Sequence, residues 1–285
     1  MTKIVPTGRA IASGLRFGEG PRWHAGALWF SDMHAQQIMR MTPEGNVSPV
    51  LSIANDPSGL GWMPDGRLLI VSMLDRKLLC WDGTELSEHA DLSRLARHPC
   101  NDMVVDSRGY AYVGHFGFDK WGGAKPEHAS LICVDTAGNP RVVAEDLEFP
   151  NGSAITSDGN TLIVAESYGA RLTAFSIEHD GNLTNRRLWA PIPDHGVPDG
   201  ICLDTEGCVW AALPRSKATI RIREGGEVTH RINHEQGAYA CMLGGAQGTT
   251  LYVTTAASSD RARCRAEFSG QIEAYEAPCA HAGLP

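Results

Sequence analysis

The chain has 285 residues, and its 33 Asp and Glu outnumber 25 Lys and Arg for a formal charge of −8 at pH 7. That balance argues against a general nucleic-acid or anionic-membrane surface, and no apolar run approaches the roughly 18 residues a membrane helix needs. Residues 1–17 lack the continuous apolar segment of a secretory signal. The eight cysteines show no Cys-x-x-Cys spacing, and Cys80, Cys133 and Cys208 fall inside apolar strand patterns, so a reduced, cytoplasmic protein is the simplest expectation.

One sentence recurs along the chain: a polar opening residue, a short apolar strand, a glycine turn and a second apolar strand. It opens as Gly18-Glu19-Gly20-Pro21, turns at Gly26 and continues through Leu28-Trp29-Phe30. It returns around Gly66 with Leu68-Leu69-Ile70-Val71 and around Gly109 with Ala111-Tyr112-Val113. Three more copies centre on Gly159, Gly207 and Gly248. The turn glycines are spaced 40, 43, 50, 48 and 41 residues apart, the period of a propeller blade. Third strands such as Gln37-Ile38-Met39-Arg40-Met41 follow, then a further turn and a more polar fourth strand.

Six such units predict an all-β fold, a six-bladed β-propeller of four-stranded antiparallel blades, as a single domain over residues 1–285. Only residues 86–97 suggest a helical turn. The sixth unit ends soon after Tyr275 without an outer strand, and residues 9–15 are expected to supply it. Closing the ring through the N-terminal strand would hide an open sheet edge.

Eight residues before Gly66, Gly109, Gly159, Gly207 and Gly248 stand Ser58, Asn101, Asn151, Asp199 and Ala240, and seven before Gly26 stands Glu19. Each begins the innermost strand of its blade, so all six face the central axis at one end of the channel. Glu19, Asn101, Asn151 and Asp199 carry oxygen donors. Converging there, two carboxylates would repel one another unless a cation joined them. Two carboxylates and two amides suit a hard divalent cation such as calcium, magnesium or manganese. Asn-Gly and Asp-Gly are also ordinary turn dipeptides, as Pro64-Asp65-Gly66 is here; the shared phase is what favours a metal.

Gly18-Glu19-Gly20-Pro21, Asn101-Asp102, Phe149-Pro150-Asn151-Gly152 and Val197-Pro198-Asp199-Gly200, with Leu243-Gly244-Gly245 and Leu251-Tyr252-Val253-Thr254-Thr255, resemble the SMP-30/gluconolactonase/LRE family of regucalcin and sugar lactonases. The resemblance implies one divalent cation held by Glu19, Asn151 and Asp199, calcium first, with magnesium, manganese, zinc or iron(II) as alternatives. It also implies Asn101 beside the metal, as ligand or substrate contact, and Asp199 as general base. Regucalcin-like members carry a sugar-contacting arginine two residues before the equivalent of Asn101; here stands Pro99, which argues against an aldonolactone.

Propeller topology places the loops between second and third strands at the same mouth. They carry His34, Asp75, the aromatic and glycine-rich stretch of residues 114–123 with His115, Phe116 and Trp121, then Tyr168, Arg215 and residues 258–261. His34, His115, Phe116, Trp121 and Tyr168 are the expected substrate contacts, with His115 read either as a proton-transfer group or as a plain loop histidine. Trp62, Trp81, Trp189 and Trp210 are expected in the core. The leading expectation is metal-dependent hydrolysis of a small lactone, with Asp199 activating water or, second, attacking directly. Phosphoester or phosphofluoridate hydrolysis, a lyase or isomerase step, and a non-catalytic calcium-binding regulator remain alternatives. No Gly-x-Ser-x-Gly elbow, phosphate loop or dinucleotide fingerprint appears. The sequence gives no oligomeric state.

Overall fold

The computed structural model describes residues 2–5 and 8–285. Each of the six turn glycines has a positive φ, from 70° at Gly248 to 92° at Gly109, the left-handed region that tight hairpins need and L side chains resist. Strands run out from them in both directions. The first blade orders Gly18–His24, Ala27–Asp32, Gln37–Met41 and Val47–Ser52 from axis to rim. The second runs Pro57–Trp62, Leu68–Ser72, Lys77–Trp81 and Leu86–Asp91, and the third Cys100–Val105, Ala111–His115, Ala129–Val134 and Pro140–Leu147. The fourth holds Pro150–Ile155, Thr161–Glu166, Arg171–Ile177 and Leu183–Pro191. In the fifth, Ile201–Leu203, Val209–Leu213, Ala218–Ile222 and Val228–Asn233 gain a fifth strand, Lys3–Ile4, laid parallel on the rim. This is a six-bladed β-propeller.

The sixth blade takes Gly237–Gly244, Thr250–Ala256 and Gly270–Glu276 from the C-terminal part of the chain and its outer strand, Arg9–Leu15, from the N-terminal part. The expected closure therefore forms, and it leaves no unpaired edge at the seam. Residues 86–97 differ from expectation: Leu86–Asp91 is the outer strand of the second blade, antiparallel to Lys77–Trp81. On the blade rim it buries only Ala90 firmly, so no strand alternation marks it in the sequence. The α-helix among the described residues is Arg261–Glu267, capped by the Asp260 side chain, which accepts from Arg263 N–H at 2.8 Å.

The core lies between blades. Cys80, Met103, Val105, Val113, Ile132 and Val134 fill the second-to-third interface, while Trp210, Met242, Leu251 and Phe30 fill the seam side. Trp189 and Trp210 are buried as expected, and Trp62 and Trp81 are half-buried against the Ile38–Leu60 cluster. All eight cysteines are free, and seven are buried. No helix among the described residues is long and apolar enough to cross a membrane.

Candidate active site at the axial mouth

Glu19, Asn101 and Asn151 lie at the start of their innermost strands, and in each strand the ladder slips there: between Glu19 and Arg22, between Cys100 and Met103, and between Pro150 and Ser153. The same irregularity follows Pro57 and Ala238 in the second and sixth blades. A bulge re-aims a side chain off the pleat, which turns residues that would face a neighbouring blade toward the channel. Asp199 precedes its strand and is held by hydrogen bonds from its own N–H to Ala212 O at 2.9 Å and from Gly152 N–H to its carbonyl at 3.2 Å.

The glycines after Asn151 and Asp199 have a reason other than a turn. A Cβ on Gly152 would stand 2.6 Å from Asp199 O and Ile201 N, and one on Gly200 would stand 2.4 Å from the Ala240 Cβ. The blades touch backbone to backbone at this level, so Asn-Gly and Asp-Gly here mark the narrow ring around the axis.

Glu19, Asn101, Asn151 and Asp199 all line one cavity of about 340 Å³. Its walls are Phe17, Phe116, Trp121, Phe149, Tyr168 and Tyr239, with Met33 and Met73 deeper in. Phe116 stacks on Phe149 at 4.8 Å between centroids, and Phe149 packs on Tyr168 at 5.0 Å. Lys120, Arg215 and His34 complete the polar lining. The cavity joins a polar floor to an aromatic wall, the usual form of a small-molecule site.

Glu19 is buried, with Gly20 N–H donating to Oε2 at 3.2 Å. Burial, then the charges of Asp199 and Asp102, push its pKa well above the usual carboxylate range. Burial likewise pushes Asp199 up to about 7, against the opposing pull of Lys120 and with a further push from Asp102. Neither carboxylate makes an ion pair among the described residues. Asp102 itself is spent on Arg22, at 2.7 Å, whose guanidinium also donates to the carbonyls of Pro21, Leu60 and Met103.

The Asn151 Nδ2 donates to Ser167 Oγ at 3.1 Å, and Ser167 donates on to Pro198 O at 2.7 Å. That chain fixes the amide with its nitrogen engaged, leaving Oδ1 as the group available to a ligand. Asn101 Nδ2 is buried without a hydrogen-bond partner. A floor of two unpaired carboxylates, an oriented amide oxygen and an orphaned amide fits a divalent cation and an oxygen-bearing ligand beside it.

His34, Phe116, Trp121 and Tyr168 reach the cavity as expected. His34 is held from behind: its Nδ1 lies 3.1 Å from Asp56 Oδ2, and Asp56 accepts from Arg261 Nε at 2.8 Å. His115 does not reach it. Its Nδ1 accepts from Gly117 N–H at 3.1 Å and its Nε2 meets Ser130 Oγ at 3.0 Å, beside a separate cleft with Glu127 and His128. Asp75 also turns away, accepting from Ser72 Oγ at 2.6 Å.

Phe17, Phe149, Val197, Lys120 and Tyr239 are cavity residues not singled out as contacts from sequence. Three of them carried a signal. Phe17, Phe149 and Val197 each stand two residues before a site residue, so the phase that locates Glu19, Asn151 and Asp199 also locates the wall. Tyr239 and Lys120 had no comparable mark.

Residues 17–257 match the model of the SMP-30/Gluconolactonase/LRE-like region. Pentonolactonase XacC of Haloferax volcanii is 25% identical over 255 residues, covering 87% of this chain and 84% of that one. The calcium-binding protein regucalcin of Agrobacterium tumefaciens superposes with a TM-score of 0.80 at 21% identity, over 99% of both chains. A luciferin-regenerating enzyme superposes with a TM-score of 0.82 at 19% identity, over 97% of both. With the match running from the first blade into the sixth, this chain belongs to the SMP-30/gluconolactonase/LRE-like family, whose named members here include a lactonase.

Proposed function

We propose that the chain hydrolyses a small lactone in the axial cavity, with a divalent cation held by Glu19, Asn151 and Asp199 and with Asn101 beside it. The observation that carries this reading is a buried Glu19 and a half-buried Asp199, neither in an ion pair among the described residues, meeting two amides under an aromatic wall. Family membership and the pentonolactonase relative support the reaction class, and the calcium-binding regucalcin supports the cation.

When bound, the cation supplies a Lewis acid that draws electron density from the lactone carbonyl. The chain's own residues do the rest. Asp199 accepts a proton from a water as the water oxygen bonds to the carbonyl carbon. The bond from that carbon to the ring oxygen then breaks, and the proton returns to the leaving alkoxide, giving a hydroxy acid. Asn101 Nδ2, without a hydrogen-bond partner among the described residues, donates to a substrate oxygen. Phe116, Phe149, Trp121 and Tyr168 cover the ring's apolar faces and exclude bulk water.

The test is hydrolysis of sugar, aliphatic and aromatic lactones after chelation and after add-back of calcium, magnesium, manganese, zinc or iron(II). Turnover of at least one lactone that vanishes on chelation and returns with metal is the expected result. Tight cation binding with no lactone turned over would overturn the reading in favour of a binding protein, and selective turnover of phosphoesters would move it to that chemistry.

A further inference from the structure

Two cations in the cavity have no ion-pair partner among the described residues. Lys120, half-buried on the loop of residues 114–123, places Nζ 5.2 Å from the ring centroids of both Phe116 and Phe149. Arg215, on the loop after Val209–Leu213, holds its guanidinium 6.0 Å from the Tyr168 ring. The two come from different blades, and Lys120 lies in electrostatic reach of Arg215, Asp199 and Glu19. Neither forms an ion pair among the described residues. His34 aside, the charged side chains lining the cavity are thus two carboxylates and these two cations.

A divalent cation balances Glu19 and Asp199 between them. Lys120, half-buried, and Arg215, exposed at the rim, then remain as two uncompensated positive charges beside the aromatic wall, able to hold an anion by charge-assisted hydrogen bonds. A neutral lactone gives them nothing to meet. Pro99, which offers no polar side chain, adds no contact for a neutral hydroxyl, and its carbonyl serves instead to anchor the loop by accepting from Phe116 N–H at 3.0 Å.

We infer that Lys120 and Arg215 select a lactone carrying a second, anionic group, a carboxylate, which they bind while the lactone carbonyl faces the floor. The inference rests on the lactonase reading for the reaction and adds the substrate class. The anionic group is not changed in the reaction; it orients the ring.

The test compares a γ-butyrolactone bearing a ring carboxylate with the same ring bearing the neutral carboxamide, in the metal-loaded protein. The carboxylate is expected to show about tenfold or more higher kcat/KM, the scale of one charge-assisted hydrogen bond. That ratio should fall toward one in Lys120→Gln and in Arg215→Gln, chiefly through KM, with melting curves confirming that both variants fold. A ratio near one in the wild type, or a ratio unmoved in both variants, overturns the inference while leaving the reaction intact. Should neither compound turn over, calorimetric titration of both decides: selective binding of the carboxylate, lost in the two variants, keeps the inference as the lactonase reading fails, and equal or absent binding overturns it.

Discussion

Asp56 and Glu166 are fully buried, and each is gripped by arginines: Asp56 by Arg261 and Arg265, Glu166 by Arg171 and Arg186. Burial opposes their charge, yet the hydrogen bonds of His34 and Arg261 in one case, and of Arg171, Glu148 N–H and Thr173 in the other, hold both below the usual carboxylate range. Glu19 and Asp199, in the neighbouring first and fifth blades, receive no such partner and are pushed the other way. The fold can bury a carboxylate safely. At the axis it does not, and the deficit is what a cation and a substrate are left to fill.

The sharpest break of that comparison is Asp199→Asn. It removes the proposed base but also removes an uncompensated buried charge. Lactone kcat/KM should fall about 10³-fold, the scale of a lost general base, while the metal-free protein melts no lower than wild type. Wild-type-like rates would remove Asp199 from the chemistry.

Asp56→Ala is the counterpart on the compensated side. It leaves Arg261 and Arg265 without their shared acceptor and His34 without its Nδ1 partner. The arginines left behind are 35% and 36% exposed, so a cost of about 1–3 kcal/mol is expected from the lost charged hydrogen bonds, read as a lower urea midpoint with helix Arg261–Glu267 opened to proteolysis. A stability loss no larger than that of Glu19→Gln would mean that the two sets of carboxylates are not treated differently after all.

Next in size is the cation itself. At about 100 times its dissociation constant a ligand stabilises the folded state by about 2.7 kcal/mol, a shift of several degrees for a chain of this length. Glu19→Gln and Asn151→Leu should each abolish most of that shift under the same added metal. Ser58→Ala, at the same phase of the second blade but with no charge, should keep it. If all three behaved alike, the cation would be binding elsewhere.

Much of this was legible in the sequence because the repeat has two readable phases. Glycine at the hairpin is forced by φ, and glycine after the site residue is forced by the contact of adjacent blades, as at Gly152 and Gly200. Both leave a mark one can count from, so the ring, the seam closed by Arg9–Leu15 and the four axial donors could be placed. The loops have no such period. Lys120 and His115 sit five residues apart on one glycine-rich loop, and only the folded path of residues 114–123 decides which of them faces the ligand. Leu86–Asp91 misleads for a related reason: a rim strand buries one residue, Ala90, firmly, too little to impose an alternation of two.

His115 gives the smallest effect and the most discriminating one between wall and scaffold. Burial lowers its pKa to about 4 from the 6.5 of an unperturbed imidazole, so it stands neutral in the folded chain near pH 7. Between those two values the unfolded chain takes up the proton and the folded chain does not. The stability tied to the neutral ring is therefore intact above about pH 6.5 and is lost progressively as the pH falls toward 4. His115→Gln should flatten the change in urea midpoint between pH 7 and pH 5, and lose about 1 kcal/mol at pH 7 with the Gly117 hydrogen bond. Because the ring lies outside the cavity, kcat at pH 7 should fall far less than in Asp199→Asn. A collapse of kcat in a well-folded His115→Gln would return this histidine to the reaction, and would mean that the loop of residues 114–123 turns over when substrate binds.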